Sequence, residues 1–486
     1  MEKKNELTRK YGLLMTFCLV VGTVIGSGIF FRNETILEAI GHNMMYGIAA
    51  WGVGGLIALV IAYVFATLAV RHTEHPGLVG LSEYLVGRRY GYLFGWFLAT
   101  IFFPSLTGIL AWVAARFTVE LFGWEVNQFF SAETYMLALF YLIAVFAMTT
   151  LAPKLASYFH ISCTVIKVIP LIGMGVVGTI AGLVNGVTLE NLGQVSFQAT
   201  NSAVVAGANP FFVALVATVF AYIGWEAVLN VAGEVKNPKR NLPIALVGGM
   251  LVIIAIYIAY FVGLFGAAPL DNIAVTGSGV LYAFVNVFGS FAGTALFVFV
   301  IISCLGTLNG LTIGGQKLFY ALATKRSGFN PDLFSQVDRK TNIPNNSASL
   351  FLFAVAIWMV IFGANFAGWY GTFFSDISGG RVGTFDIAGL VPITLNAFLI
   401  PVFIMVMIKQ KEMGIFNRFV APLLATAGAG FLIYAAAYTQ SWAALFYLAF
   451  FAVVMIIGLF FFNRKKAADG DASDAESKQL EETPAA

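Results

Sequence analysis

Residues 22–30 read GTVIGSGIF, which places three glycines and two hydroxyls inside an otherwise apolar run. Hydrocarbon offers no substitute hydrogen-bond partner, so a helix crossing a membrane normally keeps its backbone bonds to itself. An interior glycine weakens a helix by roughly 1 kcal/mol relative to alanine, so Gly22, Gly26 and Gly28 together ease unwinding by about 2 to 3 kcal/mol. An unwound turn exposes main-chain N–H and C=O groups, and a half-helix starting at Gly26 presents the positive end of its dipole. Such a turn can hold the carboxylate and ammonium of a small zwitterion, or a cation. The spacing GxxxGxG equally describes a surface where two helices pack closely, and the motif alone leaves both readings open.

A second interrupted segment follows Asn209 and reads FFVALVATVFAYIGWEAVLNVAGEVKNPKRNLPIA. Residues 220–226 in its middle combine bulky aromatics with Gly224 and the acid Glu226. An intramembrane carboxylate is a functional candidate, either as a proton carrier or as a fixed hydrogen-bond acceptor to the neighbouring helix; we expect the structural role for Glu226. Lys167 lies in HISCTVIKVIPLIGMG, within a further apolar run. A cation there costs roughly 2.5 to 3.5 kcal/mol unless its stem lets it snorkel to the interface. The four histidines, His42, His72, His75 and His160, show no metal-ligand spacing and read as residues near membrane surfaces. Cys18, Cys163 and Cys304 sit inside apolar runs without CxxC spacing, as packing residues. We expect no metal and no cofactor. No phosphate loop, HExxH or GxSxG motif occurs, so the sequence supports neither ATP-driven transport nor the common membrane hydrolases, and we expect no enzyme.

The elements that must position these residues are membrane helices. Of 486 residues, 59% are hydrophobic and 10% charged, too little charge to clothe a water-facing surface. The chain is therefore read as an all-α polytopic membrane protein embedded in a lipid bilayer. The net charge of +3 is no nucleic-acid signature, because the basic residues form short clusters between apolar runs. Runs of at least about 18 apolar residues predict roughly twelve spans. Their approximate extents are 12–31, 43–70, 91–121, 134–151, 157–184, 208–231, 242–268, 280–322, 347–364, 385–407, 415–437 and 441–462. Basic clusters fall on alternate connections, with Arg32, Arg116 and Arg381 as exceptions on the opposite side. By the positive-inside rule both termini are cytoplasmic. The first span lacks a cleavage site and is expected to be retained. Residues 365–386 form a long glycine-rich outer connection, and residues 464–486, small and acidic, are expected to be disordered. The interrupted first and sixth spans lie five apart, the spacing required by a 5+5 inverted repeat whose broken helices meet at the bilayer centre. The units are then 1–11 as an N-terminal segment, 12–184 and 208–407 as the two repeats, 415–463 as helices eleven and twelve, and 464–486 as the tail.

GTVIGSGIF, YGYLFGW at 90–96, AYIGWE at 221–226 with the downstream GEVKNPKRNLPIA, and CLGTLNG at 304–310 followed by ALATKRSGFNPDLF carry a resemblance. Together they resemble the amino acid, polyamine and organocation (APC) superfamily. Within it they are most similar to bacterial L-amino-acid permeases and exchangers related to the light subunits of heteromeric amino acid transporters. The likeness runs from about Gly12 to Pro344. It implies a secondary active transporter of L-amino acids in a bacterial-type plasma membrane, working by alternating access through sodium-independent uptake or exchange. A neutral substrate is expected, because no unpaired acid faces the pocket; an amine or polyamine exchanger and a non-transporting amino-acid sensor are the alternatives. The resemblance further implies that the substrate carboxylate sits on main-chain amides of the GSG turn, Ser27 and Gly28 with Gly26 before them. Its ammonium would meet carbonyls of Val24, Phe220 and Ile223 beside Gly224, and Phe220 would act as an aromatic lid. Spans three, eight and ten are expected to complete the site. Lys167 would replace the sodium that cousins of the fold hold between spans one and eight, reaching oxygens near Gly22 and hydroxyls such as Ser303 or Thr307; proton exchange by Lys167 stays open. Glu234 and the lysines after it read as a loop with some gating contact. No outer-loop cysteine is present, so no disulfide-linked heavy subunit is expected.

Overall fold

Long apolar helices build the molecule, described here by a computed structural model for residues 8–41, 43–124, 131–193, 204, 207–268, 279–366 and 387–462. The expectations for His42, for most of the outer connection at 365–386 and for the tail lie outside the described residues. Among the described residues, eleven helices are long and apolar enough to cross a membrane. A further span is divided into two shorter helices, which makes twelve. No sheet is present among them, only an isolated bridge between Tyr11 and Val235.

The first span consists of α1 (Leu13–Val24) and α2 (Gly28–Ile40). It continues through α3 (Met44–Arg71), α4 (Arg88–Leu121), α5 (Ala132–Leu151) and α6 (Pro153–Val184). The sixth span is again two helices, α7 (Pro210–Ala221) and α8 (Glu226–Asn230). Then follow α9 (Pro238–Gly266), α10 (Ser290–Gly315), α11 (Asn345–Phe366), α12 (Ile387–Lys409), α13 (Phe416–Thr439) and α14 (Ala443–Phe460). The two broken spans lie five apart, as the inverted five-helix repeat requires.

Local chemistry sets the ends of these helices. α7 begins at Asn209, whose side chain accepts from the amides of Phe211 and Phe212 at 3.0 and 3.3 Å, with Pro210 at the first helical position. α2 ends on Gly41 in the left-handed region, φ 56°. The sequence placed the end of the first span at residue 31, but α2 runs nine residues further and takes Arg32 out of the connection into the helix. Its polar residues find local partners that an apolar count does not anticipate: buried Asn33 bonds the carbonyl of Ile29, and its Oδ1 accepts from Trp51 Nε1 at 3.2 Å. The eighth span likewise begins later than expected, because Gly289, at φ 83°, separates a short helix (Gly279–Phe288) from α10.

Small residues let the helices approach closely. Along the α6–α9 seam a Cβ at Gly178 would stand 2.4 Å from the carbonyl oxygen of Gly263, and one at Gly182 would stand 2.0 Å from that of Gly266. At the end of the bundle that carries the N-terminus, the chain before α1 is tied to the segment after α8. The amides of Lys10 and Tyr11 donate to the carbonyl of Glu234 at 2.8 and 3.0 Å, and Lys236 N–H donates to Tyr11 at 2.8 Å. Glu234 is 1% exposed, with Lys10 Nζ 2.9 Å from its Oε2 and Lys317 bonded to its Oε1. Both ammonium groups lie over the Tyr11 ring, 5.3 and 5.4 Å from its centroid. The sequence read Glu234 as part of a charged loop; tertiary folding buries it between two lysines remote in sequence.

Candidate functional site

At the first break α1 stops at Val24 because Ile25 turns extended, with ψ 93°. Among the described residues, the amides of Gly26, Ser27 and Gly28 donate to no backbone carbonyl outside the helices, as expected where a helix begins. The glycines of this turn all keep negative φ, so the break does not depend on left-handed glycine geometry. Their absent side chains serve packing: a Cβ at Gly22 would lie 2.0 Å from Thr164 Oγ1, and one at Gly28 would lie 2.8 Å from Ala221 Cα. The close-packing reading and the unwound reading of GxxxGxG therefore both hold, at neighbouring residues.

At the second break, Gly224 adopts φ 120°, which disfavours a side chain, and a Cβ there would meet the Thr23 carbonyl oxygen at 2.7 Å. The two breaks thus touch through main chain. Tyr257 of α9 joins them as well: its hydroxyl lies 3.2 Å from the Val24 carbonyl and 3.0 Å from that of Ala221. Nothing in the apolar run around Tyr257 singled it out, because its function comes from what two distant breaks leave unbonded.

Between the breaks lies a cavity of about 30 Å³, room for about one or two waters as it stands. All seven residues the sequence proposed for substrate, Val24, Gly26, Ser27, Gly28, Phe220, Ile223 and Gly224, line it. Leu106 and Leu110 of α4, Thr23 of α1 and Leu311 of α10 complete the wall together with Thr307. The four apart from Thr307 were not anticipated, and only the helical spacing of Leu106 and Leu110 hints at a shared face. Among the described residues, none of α12 lines this cavity. Leu395, Asn396 and Leu399 of α12 instead line a second cavity, on the far side of Ile223, together with Tyr222 and Glu226.

Lys167 is fully buried on α6. Its Nζ donates to the carbonyls of Gly22 at 2.8 Å, Ile25 at 2.6 Å and Ser303 at 2.9 Å, and lies 3.1 Å from Thr307 Oγ1. An ammonium has three protons, so these four oxygens use all of them. Ser303 Oγ adds contacts of 3.3 Å to the carbonyls of Ile25 and Gly26, and Thr307 Oγ1 lies 3.1 and 3.0 Å from those of Gly22 and Ile25. Carbonyls freed by the first break are thus satisfied by one cation and two hydroxyls of α10, which ties α1, α6 and α10 together.

Two residues stand elsewhere than expected. His160 is completely buried, not near a surface, with Nδ1 3.1 Å from the Gly306 carbonyl and Nε2 2.9 Å from that of Cys18. It lies two turns before Lys167 on the same face of α6 and bridges the same three helices. Glu226 accepts from the Gly224 amide at 2.8 Å and so closes its own break. At the other rim of the cavity the Arg32 guanidinium carbon lies 5.0 Å from the centroid of the Phe220 ring.

The arrangement offers an anion free amides at a helix start, offers a cation main-chain carbonyls, and encloses both with apolar side chains. Comparison with known proteins fits this picture. The family model described as amino acid permease matches residues 11–468. The chain is 28% identical to the serine/threonine exchanger SteT of Bacillus subtilis, over 74% of this chain and 77% of that one. It is 27% identical to the mouse b(0,+)-type amino acid transporter 1, over 74% and 71% of the two chains. Among solved structures, Mhp1, a nucleobase-cation-symport-1 family transporter in a closed conformation with bromovinylhydantoin bound, superposes with a TM-score of 0.56. That likeness covers 91% of this chain and 96% of Mhp1 at 14% identity, and it concerns the fold alone.

Proposed function

The chain belongs to the amino acid permease family, and from that premise we propose that it moves small neutral L-amino acids across the plasma membrane by sodium-independent alternating access, with both termini cytoplasmic. It is a multi-pass membrane protein and a secondary amino acid transporter, not an enzyme. The observation that carries the finer reading is the meeting of both broken spans on one small cavity beside the Lys167 ammonium.

In this reading the substrate carboxylate takes the amides of Ser27 and Gly28, where the dipole of α2 favours negative charge. Its ammonium takes carbonyls of Val24, Phe220 and Ile223 at the ends of α1 and α7, where the dipoles are negative. The side chain then faces Leu106, Leu110 and Leu311, and among the described residues no carboxylate lines the cavity to receive a cationic one. The likeness to a serine/threonine exchanger supports a small side chain. Lys167 supplies a fixed positive charge where the fold otherwise calls for a bound cation, so no sodium is required. Access from the cytoplasm needs α1 to tilt away from α6 and α10, and the Lys10–Glu234–Lys317 cluster to part.

Counterflow in proteoliposomes tests this directly. Vesicles are loaded in turn with single amino acids or amines, with labelled substrate outside and sodium absent. Trans-stimulation by a few neutral L-amino acids is the expected result. A response to amines alone would replace the reading by an amine exchanger, saturable binding without exchange by a sensor, and strict sodium dependence would remove the role given to Lys167.

A further inference from the structure

Arg32 is one of three exceptions to the charge pattern of the chain, with Arg116 and Arg381, being a basic residue on the side where the connections are nearly free of them. It lies on α2, four residues after Gly28, and so on the same face. Helical side chains lean toward the N-terminus of their helix, which carries the Arg32 stem back over Gly28. Gly28 has no side chain to block it. α2 and α7 meet here: a Cβ at Gly28 would lie 2.8 Å from Ala221 Cα and 3.3 Å from Phe220 Cδ1. The guanidinium therefore reaches the Phe220 ring, 5.0 Å from its centroid, while that ring also lines the cavity. A guanidinium is planar and weakly hydrated, suited to stacking on an aromatic face.

We propose that Arg32 is the latch of the Phe220 lid: it holds the ring of α7 closed over the cavity from α2, and so sets how long a bound substrate stays. This rests on the reading of the cavity as an amino-acid site. Arg32 is a positioning residue, acting through Phe220 and not on the substrate. Because both members sit on the half-helices that line the outer side of the breaks, releasing the latch opens the outer exit and leaves the carboxylate cradle at Ser27 and Gly28 as it was.

The test uses the full-length chain in proteoliposomes with labelled L-serine, or whichever amino acid of the counterflow panel gives the largest signal. Arg32→Gln is compared with wild type, Phe220→Leu and the double variant, each confirmed as folded by a monodisperse profile and a thermal transition. A cation–π contact of this kind predicts that R32Q raises KM and the substrate dissociation rate about 3- to 30-fold with little change in maximal exchange. On the Phe220→Leu background the effect of R32Q should be several-fold smaller than in the wild type, because the ring it holds is gone. Should R32Q fail to fold, Arg32→Met, which keeps the apolar stem and drops the charge, carries the same expectation. Wild-type dissociation in the folded Arg32 variant, or effects of the two substitutions that multiply, would overturn the latch while leaving transport intact. Absence of exchange and of binding in the wild type would overturn the transport reading, and the latch with it.

Discussion

Replacing Lys167 by alanine removes the one ammonium that α1, α6 and α10 share. The cost follows from the bonding pattern. Lys167 Nζ serves Gly22 O, Ile25 O and Ser303 O at 2.8, 2.6 and 2.9 Å, with Thr307 Oγ1 at 3.1 Å. Without it the hydroxyls of Ser303 and Thr307 can still donate one proton each to the carbonyls of the break, so the variant does not leave every carbonyl bare. What is lost is a set of charge-assisted bonds of about 1.5 to 3 kcal/mol each, offset by the recovered cost of burying the charge. Each buried carbonyl left without a donor costs about 1 to 3 kcal/mol. Taking about 3 kcal/mol, the arrangement with both breaks closed on the cavity becomes roughly 150-fold less populated. Counterflow by Lys167→Ala should fall by about two orders of magnitude, and Lys167→Met, which keeps the stem, should fare little better. The protein should still insert and purify, because most of its burial lies elsewhere. Exchange within about threefold of wild type in the folded variant would refute the argument, since the clamp would then be dispensable.

Five further outcomes are expected. Glu234→Gln leaves Lys317, 2% exposed, beside a neutral amide, a loss of about 3 to 5 kcal/mol, and should speed trypsin cleavage after Lys10 in the native protein by more than tenfold. Tyr257→Phe removes the hydroxyl between the carbonyls of Val24 and Ala221, about 1 to 2 kcal/mol, and should raise the KM of counterflow about 5- to 30-fold. Gly28→Ala forces its new Cβ against the Ala221 backbone and should lower thermal stability by about 1 to 3 kcal/mol. Gly12→Ala, with open space around it, should be close to neutral in the same assay. Gly224→Ala combines a strained φ of 120° with a contact at 2.7 Å to the Thr23 carbonyl, and should reduce both folded yield and exchange more than Gly28→Ala does.

Much of this molecule was legible in one dimension. A bilayer imposes length and hydropathy on every span, so composition and runs of apolar residues determined the helical class and the number of crossings, apart from where α2 ends and α10 begins. The two breaks were also visible, because a membrane helix that carries GTVIGSGIF or YIGWE departs from the apolar background, and all seven residues named from them line one cavity. Side-chain partnerships across the bundle were not visible in that way. Tyr257 sits in a run that any apolar helix could carry, His160 looked like a residue near a surface, and Glu234 looked like part of a solvated loop. Each acquires its role only when helices far apart in sequence bring it an unbonded carbonyl or an opposite charge. The same holds for Arg32, an anomaly of charge placement until the approach of α2 to α7 at Gly28 set its guanidinium on Phe220. Local chemistry declares where a backbone is free to open, whereas the groups that answer the opened backbone are chosen by packing, which one strand of sequence does not contain.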